Sequence, residues 1–150
     1  SKAALLFAVM EQGMRGALLR QAEALHGAVP EQRLRTLVRA HFHILLGPGS
    51  DFVPVMLYEW RSLTATQRAA IARLQRDYEA AWASALQTLC AAGHIRADAG
   101  VARLMFLGAL NWSVQWYKSS KGASLEALTE QAMLLFLPTL DAPTLDGDKP

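Results

Sequence analysis

Apolar residues recur along this chain at steps of three and four, and no stretch sustains the alternation of a half-buried strand. The pattern predicts an all-α fold. From Lys2 to His26 the stripe Leu6, Val9, Met10, Met14, Ala17 and Leu18 gives a first helix, which Gly27 and Pro30 stop. Leu34, Leu37, Val38, Phe42, Leu45 and Leu46 give a second, closed by the breaker Gly47-Pro48-Gly49-Ser50. Asp51 is placed to cap a short third helix through Trp60, with Pro54 tolerated in its first turn. Thr64-Ala65-Thr66-Gln67 has the form of a capping box. It opens a long helix whose stripe is Ile71, Leu74, Tyr78, Ala81, Trp82, Ala85, Leu86 and Leu89, and Gly93 stands where a helix places its terminal glycine.

The last two helices differ in kind. Between Asp98, an expected N-cap, and Lys118, apolar groups occur on every side: Val101, Leu104, Met105, Phe106, Leu107, Leu110, Trp112, Val114, Trp116 and Tyr117. A helix apolar all round has to be covered all round. After the turn Ser119-Ser120-Lys121-Gly122, Ser124 is expected to cap a final helix to Leu137. That helix carries Leu128, Ala132, Leu135 and Phe136 on one face and Leu125, Met133 and Leu137 on another. Two such helices exceed what one core of this size can cover. A partner surface is implied, most simply a second copy about a two-fold axis. From Pro138 the periodicity ends, and Asp141 to Pro150 reads as a loose tail after a domain spanning 1–140.

Composition narrows the function. The 150 residues are 52% hydrophobic and 19% charged, too apolar for a disordered segment. Fifteen Lys and Arg against 13 Asp and Glu leave a formal charge of +2, too little to hold nucleic acid by counterion release, so this chain alone is not expected to bind DNA. One cysteine, Cys90, excludes an internal disulfide and a multi-cysteine metal site; it suits a reducing cytoplasm and reads as a buried small hydrophobe. No apolar run approaches the ~20 residues that span a bilayer, so no membrane role is expected.

Candidate chemistry is sparse. His41 and His43 sit at i and i+2, which diverge on a helix, and read as a core-edge and a surface histidine rather than a metal pair. Cys90 and His94 lack a third orienting group, the glutamates form no catalytic pair, and Gly47-Pro48-Gly49 lacks the continuation of a phosphate loop. No catalytic residue, metal or cofactor is expected. Arg33, Arg35, Arg39, Arg61, Arg68, Arg73 and Arg76 form loose basic faces, either solvated surface or the rim of an anion site. Asn111 and Gln115 lie one turn apart in an otherwise apolar helix; either they satisfy each other and nearby backbone, or they meet a polar group on something bound. Met10, Met14, Phe42, Met56, Trp60, Tyr78, Trp82 and Phe106 gather on facing stripes. Core packing explains several of them, yet Trp and Met together also line roomy apolar cavities.

Specific strings now carry a resemblance. Ser1-Lys2-Ala3-Ala4-Leu5-Leu6 resembles the segment F-x-S-K-x-x-L with which TetR-family transcriptional regulators leave their helix-turn-helix and enter the regulatory domain. Ala92-Gly93-His94-Ile95-Arg96-Ala97-Asp98 is similar to the family's turn G-x-[FI]-R-x-D, and Gly108-Ala109-Leu110-Asn111-Trp112 with Trp116-Tyr117 to its penultimate helix. Ser124-Leu125-Glu126 through Leu137 resembles its last helix. The strings cover nearly the whole chain in the family's order. The resemblance implies a six-helix regulatory domain, a small-molecule cavity among the earlier helices, and a dimeric four-helix bundle built by the last two, with DNA read by an N-terminal domain expected to be absent from this chain.

On that reading Leu128, Ala132 and Phe136 lie near the two-fold and Gly108 permits close approach. The Asn-Trp and Trp-Tyr pairs, with Tyr58-Glu59-Trp60-Arg61, are also similar to the branch that senses acyl-CoA thioesters. The ligand expected is apolar with one polar or anionic end. Its body would lie among the Met and aromatic stripes, Asn111 and Gln115 would meet a carbonyl or hydroxyl, and Trp60 and Arg61 would face the charged end. A purely structural dimerisation module and a helical thioester-handling enzyme are the rival readings.

Overall fold

Local sequence signals set most of the helix boundaries. In the computed structural model, which describes residues 1–138 and Leu140, α1 spans Lys2–Leu25, α2 Arg33–Leu46, α3 Phe52–Tyr58, α4 Ala65–Ala91, α5 Ala99–Trp116 and α6 Leu125–Phe136. The tail expected over 141–150 lies outside the described residues. Thr64 and Gln67 form the reciprocal capping box of α4, the Thr64 hydroxyl accepting the Gln67 amide at 3.2 Å and the Gln67 side chain accepting the Thr64 amide at 2.9 Å. Asp98 and Ser124 accept the amides of Val101 and Ala127 at 3.0 and 3.1 Å. At the other end of α4, Gly93 has φ +82°, and the amides of Gly93 and His94 bond back to the carbonyls of Cys90 and Leu89. Those two bonds satisfy carbonyls that the helix leaves open, and a glycine is the residue that reaches this φ without strain.

Around α3 the structure departs from expectation. Asp51 makes no capping bond, because its own backbone is already helical (φ −61°, ψ −23°) and its side chain is not held over the first turn. The helix also ends at Tyr58 instead of reaching Trp60, and Trp60–Ser62 forms a separate 3-10 turn. Cys90, expected to be buried, is half-buried, with its thiol directed at the Ala97 carbonyl.

α2 is the central element, packed against α1, α4, α5 and α6. Its Leu34, Leu37, Val38 and Phe42 are all buried and join Met14, Tyr78, Trp82, Leu86, Phe106, Leu110 and Met133 in the main core. A second, smaller cluster of Met10, Leu63 and Ile71 closes one end, with Phe7 and Trp60 half-buried against it. Gln21 of α1 is buried and donates to the Tyr78 carbonyl of α4 at 3.2 Å, so this polar residue on an apolar stripe has its partner. The Arg35–Glu130 and His43–Glu126 pairs join the outer faces of α2 and α6. No helix among the described residues is long and apolar enough to cross a membrane.

α5 and α6 are covered by this chain on one side only. Val101, Leu104, Met105, Trp112 and Trp116 form an exposed stripe down α5, with Leu104 64% and Met105 69% accessible, and Leu134 and Leu135 are exposed on α6. Leu128, Ala132 and Phe136, expected at the two-fold, are instead half-buried against the chain's own core, where the Phe136 ring lies 4.7 Å from that of Phe106. Leu134 and Leu135 are turned to the outside, and the trio keeps a partly accessible edge.

α3 is seated on α1 at Gly13, where a Cβ would come within 2.2 Å of the Phe52 ring and 2.7 Å of its Cβ. Those atoms belong to the base of a buried side chain and have nowhere to retreat. Gly13→Ala is therefore expected to lower stability by about 1–3 kcal/mol despite its better helix propensity, read as a drop in the denaturation midpoint with an unchanged m-value.

Candidate functional site

Five helices converge on a cavity of about 170 Å³. α1 contributes Met14 and Ala17; α2, His41, Ile44 and Leu45; α3, Phe52, Val53, Met56 and Leu57; α4, Gln75, Tyr78 and Glu79; α5, Leu107, Asn111 and Val114. Most of this wall is hydrocarbon. Its polar groups fall on one side, where α2, α4 and α5 meet.

His41 organises that side. Its Nδ1 lies 2.6 Å from the Tyr78 hydroxyl and its Nε2 2.8 Å from Asn111 Oδ1. Burial strips water from the imidazole and lowers its pKa to about 4, with the Asn111 bond opposing part of the fall. Burial likewise drives the Tyr78 phenol upward, against smaller opposing effects of the Trp82 indole N–H and the Arg20 charge. Near neutral pH the imidazole is uncharged and the phenol keeps its proton. One arrangement satisfies both distances: Tyr78 O–H donates to Nδ1, and Nε2–H donates to Asn111 Oδ1. The Asn111 amide nitrogen makes no hydrogen bond among the described residues, and its side chain lines the cavity.

Two further features frame the site. Glu79, the one acidic residue in the wall among the described residues, is paired with Arg103, both half-buried. Trp82 is fully buried and meets the His41 ring edge-on, with centroids 5.5 Å apart; its Nε1–H acts on the Tyr78 oxygen only as a dipole, outside hydrogen-bond geometry, and has no partner among the described residues.

Of the residues singled out in the sequence, Met14, Met56, Tyr78 and Asn111 line the cavity. The others stand elsewhere. Met10 is sealed in the small cluster with Leu63 and Ile71, and Trp60 is half-buried against it. Phe42 and Phe106 are spent in the main core and Trp82 stands behind His41. Arg61 is exposed on the 3-10 turn and does not line the cavity. Gln115 does not pair with Asn111; it is exposed and donates to the Tyr58 hydroxyl at 3.0 Å. Sequence reasoning missed His41, Gln75 and Glu79. For His41 a signal existed, since a histidine on the stripe of Leu37, Val38 and Phe42 must find polar partners once buried.

A family model described as the tetracyclin repressor-like, C-terminal domain matches residues 27–140. The chain belongs to this family. The TetR-like domain is similar in structure to the superantigen PfiT, with a TM-score of 0.81 and 33% identity over 93% of this chain and 74% of that one. A TetR-family regulator from Bordetella parapertussis gives a TM-score of 0.80 and 30% identity over 91% and 72%. AibR in complex with isovaleryl coenzyme A and operator DNA gives 0.81 and 26% over 92% and 76%. Among curated proteins nothing matches. The six-helix all-α architecture of the TetR-type regulatory domain is thus shown by both family and fold.

The buried imidazole gives this TetR-like domain a pH signature. With a folded pKa of about 4 against 6.5 unfolded, the unfolded chain binds a proton at His41 that the folded chain refuses. The stability tied to neutral His41 is whole above pH 6.5 and is lost as pH falls towards 4, by about 3 kcal/mol in total. His41 ring resonances are expected to hold the neutral position at pH 5 in NMR; a half-protonated ring there overturns the assignment.

Proposed function

We propose that residues 1–140 form the effector-sensing and pairing domain of a TetR-like transcriptional repressor, acting in the cytoplasm. The effector would be a small molecule with an apolar body and one polar end, a short acyl-CoA thioester being the favoured form. The observation that carries this is the cavity: hydrocarbon on most sides and an amide donor at one end. AibR, which holds isovaleryl coenzyme A, supports the acyl-CoA form. At about 170 Å³ the chamber is smaller than the ~300 Å³ at which pockets begin to enclose drug-sized ligands. The buried part is then a short acyl group, with the rest of the molecule outside. Binding without turnover suits a wall that offers a neutral imidazole and no activated nucleophile.

Both α1 and α4 contribute to the wall, so occupancy would act on their relative pose, and through it on DNA-reading domains carried by the same protein. That mechanism works only as far as the ligand binds one pose better than the other.

Pairing is assigned to the exposed apolar stripe of α5 and to the exposed leucines of α6. A scattered exposed leucine is ordinary, but Leu104, Met105, Trp112 and Trp116 recur at helical spacing on one exposed side of α5, and Leu134 and Leu135 are exposed on α6. Gly108 lies on that side of α5, and a Cβ there would touch nothing in this chain within 4 Å. Glycine inside a helix costs about 0.5–1 kcal/mol relative to alanine, and close approach of a second copy is what would offset it.

Two measurements test these roles. Calorimetric titration with straight-chain acyl-CoAs should show affinity rising to an acyl length of about four to six carbons and then falling, since each buried methylene contributes about 0.8 kcal/mol until the chamber is full. A steady rise through twelve carbons would place the chain outside this cavity. For pairing, the protein should sediment as a dimer at micromolar concentration, and Leu104→Lys should convert it to a folded monomer. A monomeric parent protein would sink that assignment.

A further inference from the structure

The charges around the cavity say more about its guest than the shape does. Among the described residues no Lys or Arg lines it. Arg20, whose charge is felt at Tyr78, lies in the outer grooves beside α1, with its Nε directed to the Gly16 carbonyl at 3.4 Å. His41 offers no positive charge, and its Nε2–H is committed to Asn111 Oδ1 at 2.8 Å. The one acidic residue of the described wall, Glu79, is already paired with Arg103.

We infer that Asn111 makes this cavity selective for a neutral carbonyl, that of a thioester, ester or amide, and that the free carboxylate of the same carbon skeleton is rejected. The inference rests on the cavity being the effector site. With Oδ1 turned to His41, the Asn111 side chain directs its N–H donors to a guest. A carbonyl oxygen needs one such donor and brings no charge into the apolar chamber. A carboxylate would shed its water to meet only an amide and a neutral imidazole, with no cation among the described wall residues to compensate its charge. An ammonium would find Glu79 already neutralised by Arg103 and Asn111 Oδ1 turned to His41.

The test uses three probes with one carbon skeleton, titrated calorimetrically into this chain at pH 7: the N-acetylcysteamine thioester of isovaleric acid, sodium isovalerate and 3-methylbutylammonium. The thioester should bind about tenfold or more tighter than either ion, the scale of one hydrogen bond. Asn111→Asp keeps the acceptor that His41 Nε2–H requires and replaces the outward donor by an acceptor. It should lose the thioester preference about tenfold; the carboxylate beside the buried imidazole is expected to lower the thermal midpoint, so retention of the fold is read from an unchanged far-UV circular dichroism spectrum at pH 7. Equal or tighter binding of isovalerate or of the ammonium, or an undiminished preference in Asn111→Asp, overturns the inference and leaves the effector site standing. If acyl-CoAs bind and the small thioester does not, recognition lies in the coenzyme portion and the inference again fails. If no probe and no acyl-CoA binds, the proposed function itself fails, and this inference with it.

Discussion

The structure turns on an uncharged histidine held between two partners inside hydrocarbon. His41 lies on the buried stripe of α2, the helix that touches most of the others, and either ring nitrogen left alone would carry a desolvation penalty of about 1–3 kcal/mol. Tyr78 from α4 and Asn111 from α5 remove that penalty, and in doing so they fix the azimuths of three helices relative to one another. Apolar packing alone tolerates small rotations, because one leucine contact is much like another. A hydrogen bond of 2.6 Å between buried groups does not.

The same chain of bonds settles what the cavity presents. Tyr78 must donate, Nδ1 must accept, Nε2–H must donate, and Asn111 is left with its amide hydrogens outward. The polar character of the ligand end is thus decided two residues behind the surface that a ligand would touch. Gln21, which bonds the Tyr78 carbonyl from α1, ties the remaining helix of this side to the same element.

How much of this was legible in the sequence depended on the distance over which each feature is determined. The caps at Thr64, Asp98 and Ser124 are decided within three residues, and the chain displays them openly. Asp51 shows the limit of that reasoning, because the turn before α3 had already placed its backbone in the helical region. The partners of His41 lie 37 and 70 residues away, beyond any local pattern, so its role could not be read from its neighbours. The face of α6 was ambiguous for a related reason. Leu128, Ala132 and Phe136 are as apolar as Leu134 and Leu135, and only contacts with α2 and α5 decide which set turns inward. Counting Met and aromatic residues found three wall positions, Met14, Met56 and Tyr78, and also gathered Phe42, Trp82 and Phe106, since core and cavity draw on the same residue types.

The contact between Gly13 and Phe52 carries one more consequence. Phe52 is both the anchor of α3 on α1 and part of the cavity wall, and it rests where a methyl group on α1 would otherwise be. The floor of the chamber therefore travels with α1. A displacement of that helix along its axis would slide a smooth notch past the ring and deepen or close the space beside it. The room available to a guest is set by a side chain that α1 does not have.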